Sequence, residues 1–160
     1  MENIEVEQII RDYLNDVVHM SCASVGTDGR PWAWEVHFAF DDDLNLYWVS
    51  VPAVRHSQEL AANPHIAGTI VKQHALGEVP RGVSFEGTVE VLQDVTAEHP
   101  AFKAYTSRFA DRTEAVLDGY AHDGPGARRI YKISVSDYYL ADTIRTGRPE
   151  KHHLAWPSTS

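Results

Sequence analysis

With 160 residues, 43% of them hydrophobic and 23% charged, the chain has the makings of one soluble globular domain that buries a core without staples. Fourteen basic against 23 acidic residues, a net charge of −9, argue against a nucleic-acid binder, although a small anion needs only a few positive groups in one place. The one cysteine, Cys22, leaves no intrachain disulfide; with an acidic N-terminus and no run of roughly 20 apolar residues, the chain reads as cytoplasmic, without leader or membrane span.

Residues 4–17 predict an amphipathic helix, with Ile4, Ile9, Ile10, Tyr13, Leu14 and Val17 on one face. A β-rich run follows at 17–25, and Asp28-Gly29 marks a hairpin turn into the next strand. That strand, 32–40, alternates. Trp32, Trp34, Val36, Phe38 and Phe40 point one way, and Ala33, Glu35, His37 and Ala39 the other. A turn at 41–45 returns the chain as a third strand, 46–51. A short helix is expected at about 54–62, ended by Asn63-Pro64 because proline disfavours helix at the residue before it.

The rest reads as a strand at 65–71, a polar loop at 72–81 and a long strand at 82–93 with Val83, Phe85, Gly87, Val89 and Val91 in alternation. One or two helices are expected over 99–120, one or two strands over 128–142 and a tail over 143–160. Hairpin-joined strands dominate, which predicts a single antiparallel barrel or sheet with flanking helices, mainly β in an α+β setting. The lack of βα alternation and of a GxGxxG argues against a dinucleotide-binding domain.

The chemistry concentrates at the start of the short helix. Ser50, Arg55, His56 and Ser57 lie where a helix exposes unpaired N–H groups and the positive end of its dipole, which favours an anion. Arg55 has a planar fork suited to phosphate oxygens, and His56 can add a donor. The alternative is that Ser57 or a neighbour caps the helix while Arg55 and His56 stay solvated. Trp32 and Trp34 are core or interface residues, or a platform for a planar cofactor. Glu35 and His37 are either site residues or the solvated side of a half-buried strand. The nine histidines form no metal signature, and no metal site is expected. Cys22 reads as a buried, inert thiol. The cations of "GARRIYK" read as a solvated strand edge.

Several stretches together, "DGRPWAWEVHFAF", "LYWVS", "VRHSQELAANPHIAGTI" and "RGVSFEGTVEVLQD", resemble the pyridoxamine-5′-phosphate-oxidase-like, FMN-binding split-barrel proteins. "AFKAYTSRF", "IYKISVSDYYLADT" and "KHHLAW" resemble a bacterial branch of that superfamily. The resemblance implies a six-stranded antiparallel split β-barrel and a homodimer with two FMN sites built from both subunits. It implies that Arg55 and His56 hold the FMN phosphate, with Ser57 beside them and Val49 and Ser50 ending the preceding strand. Trp34, Glu35, Val36 and His37 would run along the flavin, Gly82 and Val83 would approach it, and Trp156 would match an aromatic near the chain end.

The chain departs from the oxidase pattern. Trp34 and Ala39 stand where basic residues are expected, His56 replaces a lysine and Gly82 a glutamine, and "GRPEKHHLAW" lacks the substrate-binding arginine motif. The resemblance therefore implies an FMN-dependent oxidoreductase, not pyridoxamine-phosphate oxidation. A non-catalytic flavin carrier or sensor, and the same fold holding F420 or haem, are the other readings.

Overall fold

The computed structural model describes residues 1–157; the last three residues of the expected tail lie outside the described residues. Helix α1 (Asn3–Asp16) is followed by strands β1 (His19–Val25), β2 (Pro31–His37), β3 (Ala39–Phe40) and β4 (Leu46–Ser50), then helix α2 (Arg55–Ala62). Strands β5 (His65–Val71) and β6 (Gly82–Leu92) precede helices α3 (Pro100–Arg108) and α4 (Thr113–Tyr120), joined by a 3-10 turn. The chain ends with β7 (Arg129–Ala141), the single-turn α5 (Thr143–Thr146) and β8 (His152–Ala155).

All strands pair antiparallel in the order β2-β1-β5-β6-β7-β4-β3, with β8 added on β7. The two ends of that order belong to one run of chain, since β2 passes through Phe38 into β3. The expected strand over 32–40 is therefore broken: its first half pairs with β1 and its second with β4. Phe38, fully buried, donates its N–H to Val18 O at 3.1 Å where the partner changes. Counting β2 and β3 as one, six strands curl into the expected split barrel, and the tail supplies a seventh.

The turns obey their local chemistry. Gly29 adopts φ +79° in the predicted Asp28-Gly29 turn, a conformation that only glycine enters freely. Asn63 closes α2 with its N–H on Glu59 O at 2.8 Å, as Pro64 requires. On β7 the register slips by one opposite Glu86 and Gly87, leaving Ser136 as the extra residue of a bulge. Trp156 N–H then bonds the Ser136 carbonyl at 2.8 Å, so the bulge receives the tail.

Burial follows the barrel. The main core runs from Val6, Ile10 and Leu14 of α1 through Met20, Trp48, Ile70, Phe85, Ile133 and Tyr138. A second cluster, with Tyr47, Phe102, Tyr105 and Ile130, lies under α3 and α4. Three expectations are corrected. Ile4 is 76% exposed, and Val6 takes its place on the buried face of α1. Ala39 is buried because α3 covers its side of β3. Arg129, expected on a solvated edge, is 7% exposed; it donates to Gly119 O at 2.8 Å and pairs with Asp123 at 2.6 Å.

Candidate functional site

The ring is open where β2 ends its ladder and the last residues of β4 have only β7 beside them. Side chains fill this split. Trp34 reaches inward from β2 and meets Trp48 of β4 with ring centroids 5.4 Å apart. Its indole N–H donates to the buried Ser24 hydroxyl at 3.1 Å, which fixes the ring plane. On that plane lies His56, stacked at 4.1 Å and 13°. Ser50 Oγ stands 2.9 Å from His56 Nε2 and fixes the imidazole from the other side. Burial pushes the His56 pKa below its ordinary value, and the Glu59 carboxylate partly offsets this.

Arg55 is the first residue of α2 and lies outside this stack, with its guanidinium 4.0 Å from the centroid of Trp32. Its Nε donates to Glu59 Oε1 at 3.1 Å. Among the described residues its two terminal nitrogens bond to nothing. Val54, the N-cap, supplies no side-chain cap, so the helix start keeps its free N–H groups. The corner thus combines a planar cation, an oriented imidazole, a hydroxyl and unpaired backbone donors: a set suited to a phosphate monoester.

The sequence-derived residues divide. Ser50, Arg55, His56 and Trp34 come together. Ser57 adjoins them but is buried, its hydroxyl donating to Val51 O at 3.0 Å; it fastens the turn before the helix and lines the cavity on the other side of α2. Val36 shares the inward face of Trp34 and packs against the core. Glu35 and His37 lie on the opposite face, as strand alternation requires. Glu35 accepts from Ser21 Oγ at 2.9 Å, and His37 stacks on Phe109 at 5.3 Å. Val49 also points away, into the cluster under α3 and α4. Gly82 and Val83 pair with Ala141 and Leu140 at the far end of β7, whereas Ser50 pairs with Arg129 at its start. Trp156 lies beyond β8, its indole N–H on Asp43 O at 2.6 Å. Within the chain these last three do not join the Arg55 corner.

The core reading of Trp32 is corrected, since its ring is 39% exposed and lies beneath Arg55; Ser24 behind Trp34 and Glu59 beside Arg55 had been given no role. The spacing of Arg55 and Glu59, one helical turn apart, was the available signal for the last. Cys22 is buried and its thiol pKa is pushed up by desolvation, as an inert core thiol requires. Beside α2, on the face away from Arg55, the barrel mouth holds a largely apolar cavity of about 1090 Å³ with Leu60, Val89, Val91 and Tyr131 in its walls.

Comparison with known proteins bears on this arrangement. A family model described as pyridoxamine 5'-phosphate oxidase matches residues 6–142. A UPF0306 protein of Yersinia pestis is 29% identical over 89 residues, 55% of this chain and 58% of that one, so the match spans little more than half of the curated relative. A haem-binding protein from Mycobacterium smegmatis superposes with a TM-score of 0.71 at 17% identity, covering 97% of this chain and 58% of that chain. HutZ, the haem storage protein from Vibrio cholerae, superposes with a TM-score of 0.61 at 12% identity, covering 93% of each chain.

Proposed function

The chain belongs to the pyridoxamine 5'-phosphate oxidase family, and from that premise we propose that it binds FMN, with the flavin phosphate at the Arg55–His56 corner, and works as a flavin-dependent oxidoreductase. The observation that carries this reading is the Arg55 guanidinium, laid on Trp32 with its terminal nitrogens free beside an uncapped helix start. In a protein with net charge −9, such a local positive corner is what a phosphate dianion needs. When bound, FMN supplies the hydride or electron transfer. The chain's residues bind and orient: Arg55 offers paired donors, His56 adds a donor whose charged form a phosphate favours, and Ser50 and Trp34 hold its ring.

Gly82, Val83 and Trp156 enter this reading through a homodimer, each protomer lending them to a site on its partner. The outward sheet face supports a symmetric contact, because it is surfaced by the small exposed residues Ser21, Ala23, Ala67 and Thr69. A cytoplasmic setting belongs to the same reading, on the strength of one buried thiol and no disulfide partner. No helix of the described residues is long and apolar enough to cross a membrane.

The test is an absorption spectrum of the purified protein after addition of FMN and removal of the excess by gel filtration. Retention of flavin bands at about one per chain supports the reading, and no retained flavin overturns it. Reduction of the bound flavin by NADH or NADPH with multiple turnovers separates an enzyme from a carrier or sensor. Haem is a second reading of the same fold, supported by the likeness to the M. smegmatis protein and by the histidine in the split. A Soret band on haem addition, in place of flavin retention, would select it; F420 is tested by the same titration.

A further inference from the structure

We propose that Glu59 is a positioning residue that aims Arg55 and thereby makes this site selective for the phosphorylated form of the flavin. The inference rests on the FMN reading above. It starts from a pair that helix energetics does not explain. Arg55 is the first residue of α2 and Glu59 lies one turn later. A cation at the positive end of a helix is disfavoured by the dipole, and arginine preceding glutamate is the weaker order for an i,i+4 pair.

Burial points the same way. The Glu59 side chain is 10% exposed, whereas that of Arg55 is 52% exposed. Enclosing a carboxylate costs free energy unless it is fully bonded. Here Oε1 accepts from Arg55 Nε at 3.1 Å, and Oε2 is enclosed with no partner among the described residues. Gly26 lies beside this carboxylate: a Cβ there would stand 3.5 Å from Glu59 Oε2, an ordinary contact. The fold thus tolerates an incompletely satisfied acid in order to hold one nitrogen of an exposed arginine.

The consequence for Arg55 is geometric. Glu59 holds Nε from the side, and Trp32 holds the guanidinium plane from below at 4.0 Å. Together they remove most of the side chain's rotational freedom before a ligand arrives. What remains free is the edge with the two terminal nitrogens, and that edge offers two parallel N–H groups, the pattern that matches two phosphate oxygens. A preoriented fork loses less entropy on binding than a floating one. Riboflavin, which has no phosphate, gains nothing from it.

The experiment is a fluorescence titration of wild type, Glu59→Ala, Glu59→Gln and Glu59→Leu with FMN and with riboflavin. Glu59→Ala is expected to weaken FMN binding by about tenfold and leave riboflavin binding unchanged. Glu59→Gln keeps an oxygen for Arg55 Nε and removes a negative charge next to the phosphate, so it is expected to bind FMN at least as well as wild type. Equal losses for FMN and riboflavin in Glu59→Ala, or a Gln variant as weak as the Ala variant, would overturn the proposal and leave the FMN reading standing. A wild type that binds neither flavin would overturn both. If Glu59→Ala does not fold, Glu59→Leu, which fills the same enclosed space without an acceptor for Arg55 Nε, gives the same FMN-to-riboflavin comparison: a selective loss of FMN supports the proposal, and a parallel loss overturns it.

Discussion

Arg55 is half exposed and leaves the core intact when removed. Charge-assisted hydrogen bonds contribute about 1.5–3 kcal/mol each, so Arg55→Ala is expected to weaken FMN binding by at least about tenfold, and the thermal midpoint should fall because the enclosed Glu59 carboxylate loses its partner. Arg55→Lys should not restore it, because an ammonium offers no planar pair of donors. His56 makes a prediction about pH. Its folded pKa lies below the unfolded 6.5 because burial disfavours the charged ring. The unfolded chain therefore binds the extra proton first, and the stability present above about pH 6.5 is lost as pH falls toward the folded pKa. Thermal midpoints between pH 8 and 5 should show this loss in the free protein. His56→Gln should reduce it, and bound FMN should oppose it by favouring the imidazolium. At this scale the sequence was legible where contiguity carries the chemistry: Ser50, Arg55 and His56 flank one turn. Ser57, three residues before Leu60, lies on the buried side of α2, and Glu35 and His37 lie on the face opposite Trp34, as period-two alternation assigns them. Trp32 and Glu59 were opaque because an aromatic in a strand reads as core and a glutamate in a helix reads as solvated face.

Among the elements, β5 and β6 are held close by Gly68. A Cβ there would come within 2.4 Å of the Phe85 ring and 2.7 Å of the Ser21 carbonyl oxygen, and the carbonyl belongs to a paired strand that does not yield. Gly68→Ala is expected to destabilise the fold by about 1–3 kcal/mol, seen as a lowered midpoint in urea with an unchanged slope. Strand β8 is anchored by Leu154, only 1% exposed, and by the Asp137–His153 contact at 2.7 Å. Leu154→Ala should cost about 2–5 kcal/mol, and hydrogen exchange should show how far the loss is confined to β8 and its ladder on β7. Alternating residues made β1, β2 and β4 to β6 readable. The break at Phe38 was not, because the alternation runs through it unchanged and only the partner strand differs. Nor was β8, whose four residues carry no alternation and depend on a bulge sixteen or more residues upstream in β7.

At the scale of the whole molecule, the outward face around Ala67 is where the proposed dimer is tested. Ala67→Glu projects a charge from an exposed position and should leave the circular dichroism spectrum intact. The mass by light scattering should fall to that of one chain, with loss of flavin retention if the sites are shared. The barrel also has a feature that bears on how it is made. Strand β4 at 46–50 finds its main ladder on β7 at 129–133, with α2, β5, β6, α3 and α4 between them. Closing so long a loop is slow, and sheets built from distant partners fold in milliseconds to seconds. During synthesis, then, the first 128 residues leave the ribosome with a hydrophobic β4 edge, Leu46 to Val49, that has no β7 to receive it. A nascent chain halted there presents the kind of strand edge that chaperones shield and that recruits copies of itself into aggregates. Solubility should therefore rise sharply, not gradually, as the end of a C-terminally truncated chain is moved out past residue 141, where the β7 ladders on β4 and β6 are both complete.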